Sequence, residues 1–347
     1  MGSDTSVVDQ STFVRPYSSE IYVTLGEPRM SNERNDYNMP KSMLGVYERR
    51  PSLLKSSFSG IWSIRYSESI SPIPRKGQFY YYDDDNHKCY IGYGINSDYN
   101  LLSDLWIFDT HDNTWTQKKL IGDTVSGRSG SRAALLDDKL YIFGGYAKGS
   151  YYSDLHTIDI NTGQVERINT TGDEPSPRTS PVFTIFNNKI YVWGGFNGEW
   201  PSSLHVLDLS TLVWSENPQE ISGRITSPGV VVDDRYLTSG GSKSGGLLFL
   251  NFNENKMVIK ETTGSEPPSS IGPGMVLVDH YLFFFGGKSD LSYTLIYACD
   301  IKKMWWFVFH IMPDGDTVSI ADGTISDIGL FMFPRAHSFA VCYVKER

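Results

Sequence analysis

Three sets of side chains recur along this chain at positions that invite a chemical reading. His156 and His205 stand in matching surroundings, DLHTID and SLHVLD. Repeated imidazoles would suit a metal, but Trp106 holds the corresponding place upstream and no second ligand lies at a ligating spacing. The pair therefore reads as a repeat position facing a neighbouring strand, and His87, His111, His280, His310 and His337 are isolated. Asp109, Asp159, Asp208 and Asp300 each close an apolar segment. A carboxylate there binds the amides of the turn that follows, whereas general acid chemistry would require several identical active sites in one chain. The third set is cationic: Arg75, Arg128, Arg132, Arg178, Arg224 and Arg335 each introduce an apolar segment. Guanidinium groups take carboxylate or phosphate in bidentate fashion, so the chemistry on offer is recognition. No phosphate-binding glycine loop, nucleophile elbow or zinc spacing is present. The chain is expected to hold no catalytic residue, metal or cofactor.

The elements that must position these residues are repeats. KLYIFGGYAKGSYYSDLHTIDINTGQVERI, Lys139 to Ile168, is one complete unit: an alternating apolar strand ending in Gly144-Gly145, a polar loop, a second strand, and a turn into a third. The next copy, KIYVWGGFNGEWPSSLHVLDLSTLVWSEN, keeps Gly194-Gly195. Degraded copies surround Gly94, Gly241 and Gly287, roughly 50 residues apart, the period of a four-stranded propeller blade. One unit alone is a small sheet with two apolar faces, which only stacking against its neighbours can bury. The glycines suit places where the backbone turns sharply or passes close to the next blade.

An apolar segment introduced by a turn precedes each glycine-ended strand, as in PIPRKGQFYYYD, SGRSGSRAALLDD, PSPRTSPVFTIFNN and GRITSPGVVVDD. At the N-terminus that segment is missing. Residues 1–19 are polar and aperiodic, expected as a flexible arm, and EIYVTLGEPRM, MLGVYER and GIWSIRY then supply only second, third and fourth strands. FPRAHSFAVCYVKE at the C-terminus has the missing form, so Ser338 to Val344 is expected to pair with Ile21 to Gly26 and close the ring, removing exposed edges. The apolar stretch 316–333 then becomes a hairpin inserted on the last blade; in a rival register its LFMF supplies a further strand of the closing blade. The first register is preferred because Pro334-Arg335 repeats the turn chemistry of Pro74-Arg75 and Pro177-Arg178. One domain over 20–347 follows, with six blades: 20–66 plus 335–345, then 75–118, 131–168, 178–217, 224–261 and 270–315.

The double glycines at 144–145, 194–195, 240–241 and 286–287, the following Tyr146 or Phe196, and Trp115, Trp214 and Trp305 or Trp306 resemble the kelch repeat family of β-propellers over about 20–344. The departures are single glycines in the N-terminal copy and at Gly92/Gly94, the absence of tryptophan from KMVIKE, and the C-terminal insertion. The resemblance implies an all-β, six-bladed ring with four antiparallel strands per blade. It also implies partner binding, since propellers of this family serve as ubiquitin-ligase substrate receptors, polarity and actin-associated scaffolds, and transcriptional cofactors. Enzymes on similar scaffolds need particular side chains. Copper radical oxidases require a cysteine cross-linked to tyrosine with paired histidines, a set that nothing here proposes. Iron-binding specifier proteins use Glu, Asp and Cys spaced four apart; Asp85 and Cys89 keep that spacing, but Tyr81 stands in the place of the Glu. The alternative that survives is a sugar-modifying enzyme similar to the sialic-acid mutarotases, with its pocket at the channel mouth.

Composition narrows the partners. A formal net charge of −9 argues against nucleic acid and anionic membranes as ligands. No apolar run approaches the roughly 20 residues of a membrane span, and the polar N-terminus lacks a signal-peptide core. Cys89, Cys299 and Cys342 are scattered within apolar strands, unlike a disulfide scaffold. The expectation is a cytoplasmic or nuclear protein, whole or a domain, working within a larger assembly.

In an up-and-down blade the loop between the second and third strands shares a face with the link to the next blade. That face is expected to collect Tyr99, Tyr146, Tyr151, Tyr152, Phe196, Trp200 and Tyr293 with the six arginines. Tyr, Trp and Arg are the residues enriched at binding hot spots. Two roles stand for the arginines: contact with a ligand near the channel mouth, or local pairing that locks adjacent blades. The expected function is a non-catalytic scaffold or substrate-recognition subunit holding a peptide, acidic or phosphorylated, on this face.

Overall fold

The computed structural model describes residues 18–25, 58–67, 69–226, 229–238, 246–264, 266–267, 274–285, 296–311, 331–335 and 338–344. Every regular element among them is a β-strand. Blade I consists of Phe79–Asp83, Lys88–Gly92, Leu105–Asp109 and Thr114–Lys118. Blade II consists of Arg132–Leu136, Lys139–Ala147, Ser150–Asp159 and Gln164–Ile168. Blade III is Val182–Phe186, Lys189–Trp193, Leu204–Asp208 and Val213–Asn217. Blade IV is Val230–Val232, Arg235–Thr238, Leu247–Asn251 and Lys256–Lys260. Within each blade successive strands pair antiparallel.

The apolar alternation of these strands is blurred where the sequence runs Ile190-Tyr191-Val192-Trp193, and all four side chains are buried. An inner strand needs this because both of its faces meet a neighbouring blade. Phe79, Tyr90 and Leu105 of blade I pack with Ala133, Leu140, Ile142 and Ile158 of blade II. Phe143 and Leu155 of blade II likewise pack with Phe183, Val192 and Trp214 of blade III. The core is therefore built largely of inter-blade layers, and among the described residues the cluster of Cys89, Ile91, Trp106, Phe108 and Trp115 belongs to blade I alone.

The six separate blades expected from the sequence are not what forms. The described strands make five blades, because Gly274–Val278, Tyr281–Phe285, Ile296–Asp300 and Trp305–Ile311 belong to a nine-stranded sheet that also contains the closing strands. Phe58–Tyr66 pairs in parallel with Trp305–Ile311, Phe58 opposite Phe309, and this joins the two runs into blade V.

The chain's ends do meet there: Ser18–Leu25 lies antiparallel to Ser338–Val344, with Ile21 opposite Val341. The register differs from both alternatives drawn from the sequence. Phe331–Arg335 pairs with Ser338–Val344, and Ser18–Leu25 pairs with Phe58–Tyr66, so each end contributes two strands. Phe331, Met332 and Phe333 thus belong to this ladder instead of ending an inserted hairpin, and Arg335 closes a strand where a turn was expected. The flexible arm up to residue 17, the expected strand MLGVYER and the insertion from 316 to 330 lie outside the described residues.

The glycines behave as steric arguments require. Gly145 has φ 112° and a Cβ there would stand 2.5 Å from Ser131 Oγ; at Gly194, φ 66°, it would stand 2.8 Å from the Arg224 carbonyl. In blade I only Gly94, φ 94°, remains of the double glycine. Gly92 faces Leu105 as Phe143 faces Leu155, so Tyr93 takes the place of Gly144 and adopts φ 61° to do so. Its ring is buried edge-on against Phe79, centroids 5.0 Å apart.

Candidate interaction face

The arginines divide into three kinds. Arg75, almost wholly buried, grips Asp104 through both terminal nitrogens, Nη2 to Oδ2 at 2.9 Å, and donates to the carbonyls of Ile73 at 2.9 Å and Tyr93 at 3.2 Å. Arg128 repeats the arrangement: it pairs with Asp154, donates to Ser126 O at 3.1 Å, and stacks 3.9 Å from the centre of the Tyr152 ring. These two guanidinium groups are engaged within their own blade, tying the entry to the first strand to the start of the third. The locking role foreseen between adjacent blades belongs instead to Arg132. From blade II it donates to Pro181 O in blade III at 3.2 Å and to Thr226 O before blade IV. Burial holds its pKa below the usual arginine value, while the phenols of Tyr236 and Tyr80 near it oppose that shift.

Arg178 and Arg224 form the third kind. Arg178 is 1% exposed, yet its partners are neutral: Ser176 O at 2.8 Å, Ser176 Oγ at 2.9 Å and Gly194 O at 3.2 Å. The carboxylate is missing for a reason visible in the sequence. Asp104 and Asp154 precede Leu105 and Leu155 in the third strand, and the same place before Leu204 and Leu247 is held by Ser203 and Gly246. Burial pushes the Arg178 guanidinium down to about 10, and lowers that of Arg224. The Nε of Arg224 is buried without a hydrogen-bond partner among the described residues. Arg335 lies opposite Ser338, its side chain outside the described residues.

The aromatic residues form a ridge. In blade II the second and third strands extend into a tall hairpin whose tip, Lys148 and Gly149, has φ 48° and 87°. Tyr146 and Tyr151 face each other across it with centroids 5.0 Å apart. Tyr151 then meets Phe196 of the blade III loop at 6.1 Å, and Phe196 meets Trp200 at 4.7 Å. Tyr146 remains 37% and Trp200 49% exposed. The backbone ties the ridge to the arginines, because Tyr146 bridges to Ser129, next to Arg128, and Phe196 to Thr179, next to Arg178. Tyr152 lies beneath Arg128, Tyr99 stands apart on its own turn at φ 62°, and Tyr293 is outside the described residues.

The histidines and turn aspartates serve the ring. His156 Nε2 and the Tyr93 hydroxyl are hydrogen-bonded across the blade I and II boundary at 2.7 Å, and burial pushes this imidazole down to about 4. His205 Nδ1 is 2.9 Å from Asp173 O in the link that enters blade III. Asp109, Asp159, Asp208 and Asp300 accept the amides of His111, Asn161, Ser210 and Lys302 at 2.9 to 3.0 Å. Sequence reasoning overlooked Asp104 and Asp154. Their signal was the Ser-Asp-Leu of 103–105 and 153–155 set against Ser-Ser-Leu at 202–204.

With this geometry in place, comparison with known proteins decides the family. A KLHDC2/KLHL20/DRC7 Kelch-repeats domain model matches residues 56–241, more than half of the chain. The chain is a kelch-repeat protein. Acyl-CoA-binding domain-containing protein 4 of Arabidopsis thaliana is 30% identical over 218 residues, covering 58% of this chain and 32% of the relative. Host cell factor 2 of Homo sapiens is 28% identical over 136 residues, covering 38% of this chain and 16% of the relative. The kelch chain thus spans about a third or less of the length of these curated relatives. A solved structure described as that of YjhT superposes with a TM-score of 0.52 at 22% identity, covering 62% of this chain and 74% of that one, and shows the fold alone. Among the described residues no helix is long and apolar enough to cross a membrane.

Proposed function

We propose that this kelch propeller is a non-catalytic interaction platform that holds an extended peptide segment of a partner protein on its aromatic face, as the recognition part of a cytoplasmic or nuclear assembly. The observation that carries the proposal is the continuous ridge Tyr146, Tyr151, Phe196 and Trp200, which crosses two blades and leaves large ring faces to solvent. Aromatic anchors on a rigid ring bind at low entropic cost because little has to be ordered. The acid preference comes from Arg178 and Arg224, buried cations that no carboxylate among the described residues grips as Asp104 and Asp154 grip theirs, Glu216 attracting Arg178 only from beyond ion-pair reach. An acidic or phosphorylated side chain from the partner would supply the charge that Asp104 and Asp154 supply elsewhere.

The experiment pairs stability with affinity. Partners captured from cell extract by the wild-type protein are compared with those held by Tyr151→Ala, Trp200→Ala, Arg178→Ala and Arg224→Ala, with a melting curve for each variant. Ridge variants should lose about 2 kcal/mol or more of binding with little change in melting temperature. Unchanged capture by the Tyr151→Ala and Trp200→Ala proteins would refute the ridge. Loss of stability with unchanged affinity in both arginine variants would refute the acid preference.

A further inference from the structure

The links between blades carry a second kind of site, on the outer rim. A dipeptide of the link entering a blade runs parallel to that blade's outermost strand: Ile121-Gly122 beside Gln164–Ile168, Thr171-Gly172 beside Val213–Asn217, and Thr263-Gly264 beside Trp305–Ile311. All three open with the same bond, and the first two share a second. The first residue donates its N–H to the residue just before the strand, Ile121 to Gly163 O, Thr171 to Leu212 O and Thr263 to Met304 O. The residue after the glycine donates to the strand's second carbonyl, Asp123 to Val165 O at 3.0 Å and Asp173 to Trp214 O at 3.1 Å. The Asp123 carboxylate then accepts the outward N–H of Arg167 at 2.9 Å. Glycine is required in the middle, since at Gly122, Gly172 and Gly264 φ is about 90° and a Cβ would stand 2.6 Å or less from the outer strand.

Blade IV departs from this pattern. Its entering link, 218–226, forms no strand, and the side chain of Gln219 imitates half of the clasp. Gln219 Nε2 donates to Asn255 O at 3.1 Å and Oε1 accepts from the Met257 N–H at 2.8 Å, reproducing the bonds of one peptide group. The other half is absent among the described residues. No described residue donates to the Met257 carbonyl as Asp123 does to Val165, and none meets the N–H of Ile259 as Asp123 meets that of Arg167. Ile259 is 38% exposed. Lys256 and Lys260, both exposed, occupy the first and last places of this strand, which Gln164 and Ile168 hold in blade II and Val213 and Asn217 in blade III. In blade I, Ser69 Oγ meets the Trp115 N–H, and residue 68 of that link is outside the described residues.

We propose that the outer edge of Lys256–Lys260 is a docking strand for an extended acidic segment of a partner protein, of the form β-branched residue, glycine, aspartate. The ring's own clasps are the template for that segment. A parallel addition would continue from Gln219, its aspartate N–H reaching the Met257 carbonyl and its carboxylate the Ile259 N–H, between two lysines without ion pairs among the described residues. This site is independent of the aromatic face, and its failure would leave that face untouched.

The probe is the chain's own clasp, residues 168–175, as a labelled synthetic peptide followed by fluorescence anisotropy. Wild-type protein should bind it saturably, and a probe with valine for glycine should not bind. Ile259→Pro removes only an outward donor, because Ile259 faces Leu248 as Arg167 faces His156. This variant, and separately the double reversal Lys256→Glu with Lys260→Glu, should weaken binding about tenfold or more, while Trp200→Ala should not. Absence of saturable binding up to millimolar peptide would overturn the proposal, as would wild-type affinity in both edge variants. A wild-type dimer abolished by the lysine reversal would place a second copy on the edge and overturn the assignment to a partner.

Discussion

Ser203→Asp returns to blade III the carboxylate that blades I and II place in front of their arginine. The expected result is a more stable protein. Arg178 now makes three bonds to neutral acceptors, and burial disfavours its charge. In blades I and II the matching aspartates are only 22% and 20% exposed, so the new carboxylate would enter a largely desolvated slot beside a guanidinium already in position. A hydrogen bond to a charged group contributes about 1.5 to 3 kcal/mol, against which stands the desolvation of the aspartate itself. A net gain of about 1 kcal/mol, or a melting temperature higher by about 1 to 2 °C, is the outcome expected. The assay is calorimetry on a double-mutant cycle with Arg178→Ala. The gain should vanish, and become a loss, when the arginine is absent. Lower stability of Ser203→Asp with Arg178 present, or an equal gain without it, would refute the view that Arg178 lacks a partner. The same substitution fills the proposed acid subsite from within, so it should weaken an acidic partner while raising stability. A merely structural slot would show only the second effect.

Other outcomes follow from the same geometry. Gly145→Val should cost roughly 2 to 4 kcal/mol, since its side chain would meet Ser131 and Arg128 at a left-handed backbone, measured by chemical denaturation. Gly149→Ala meets nothing within 4 Å, yet φ of 87° should still cost about 1 kcal/mol; a silent Ala there would mean that the tip relaxes freely. Deleting residues 335–347 removes the strand between Phe331–Arg335 and Ser18–Leu25 and should lower the melting temperature of the whole ring, where an unchanged transition would contradict closure. His156 has a folded pKa of about 4 against 6.5 for the free side chain. The unfolded chain therefore takes up a proton first, and stability present above pH 6.5 should fall as pH drops towards 4. His156→Gln should flatten that part of the stability profile; an unchanged acid limb would place the sensitive group elsewhere.

The sequence by itself determined the repeat, the strands and the turns, because these depend on neighbours in the chain. Two-residue alternation, glycine at a left-handed φ, and an aspartate two or three residues before the amides it accepts are local physics, and Gly144-Gly145 and Asp159 could be read from their own surroundings. What the tertiary structure decided depends on residues far apart. Whether an arginine has a partner rests on the side chain in the third strand of its blade, aspartate for Arg128 and serine for Arg178, although the two entering turns look alike. The closing register could not be read locally either. Any of several apolar segments could be the strand beside Ser18–Leu25, and the choice falls to a ladder formed from opposite ends of the chain. The ridge from Tyr146 to Trp200 and the imitation of a strand by Gln219 have the same origin. A side chain's neighbours across a blade boundary follow from the stacking of sheets, and the one-dimensional pattern only says that the sheets must stack.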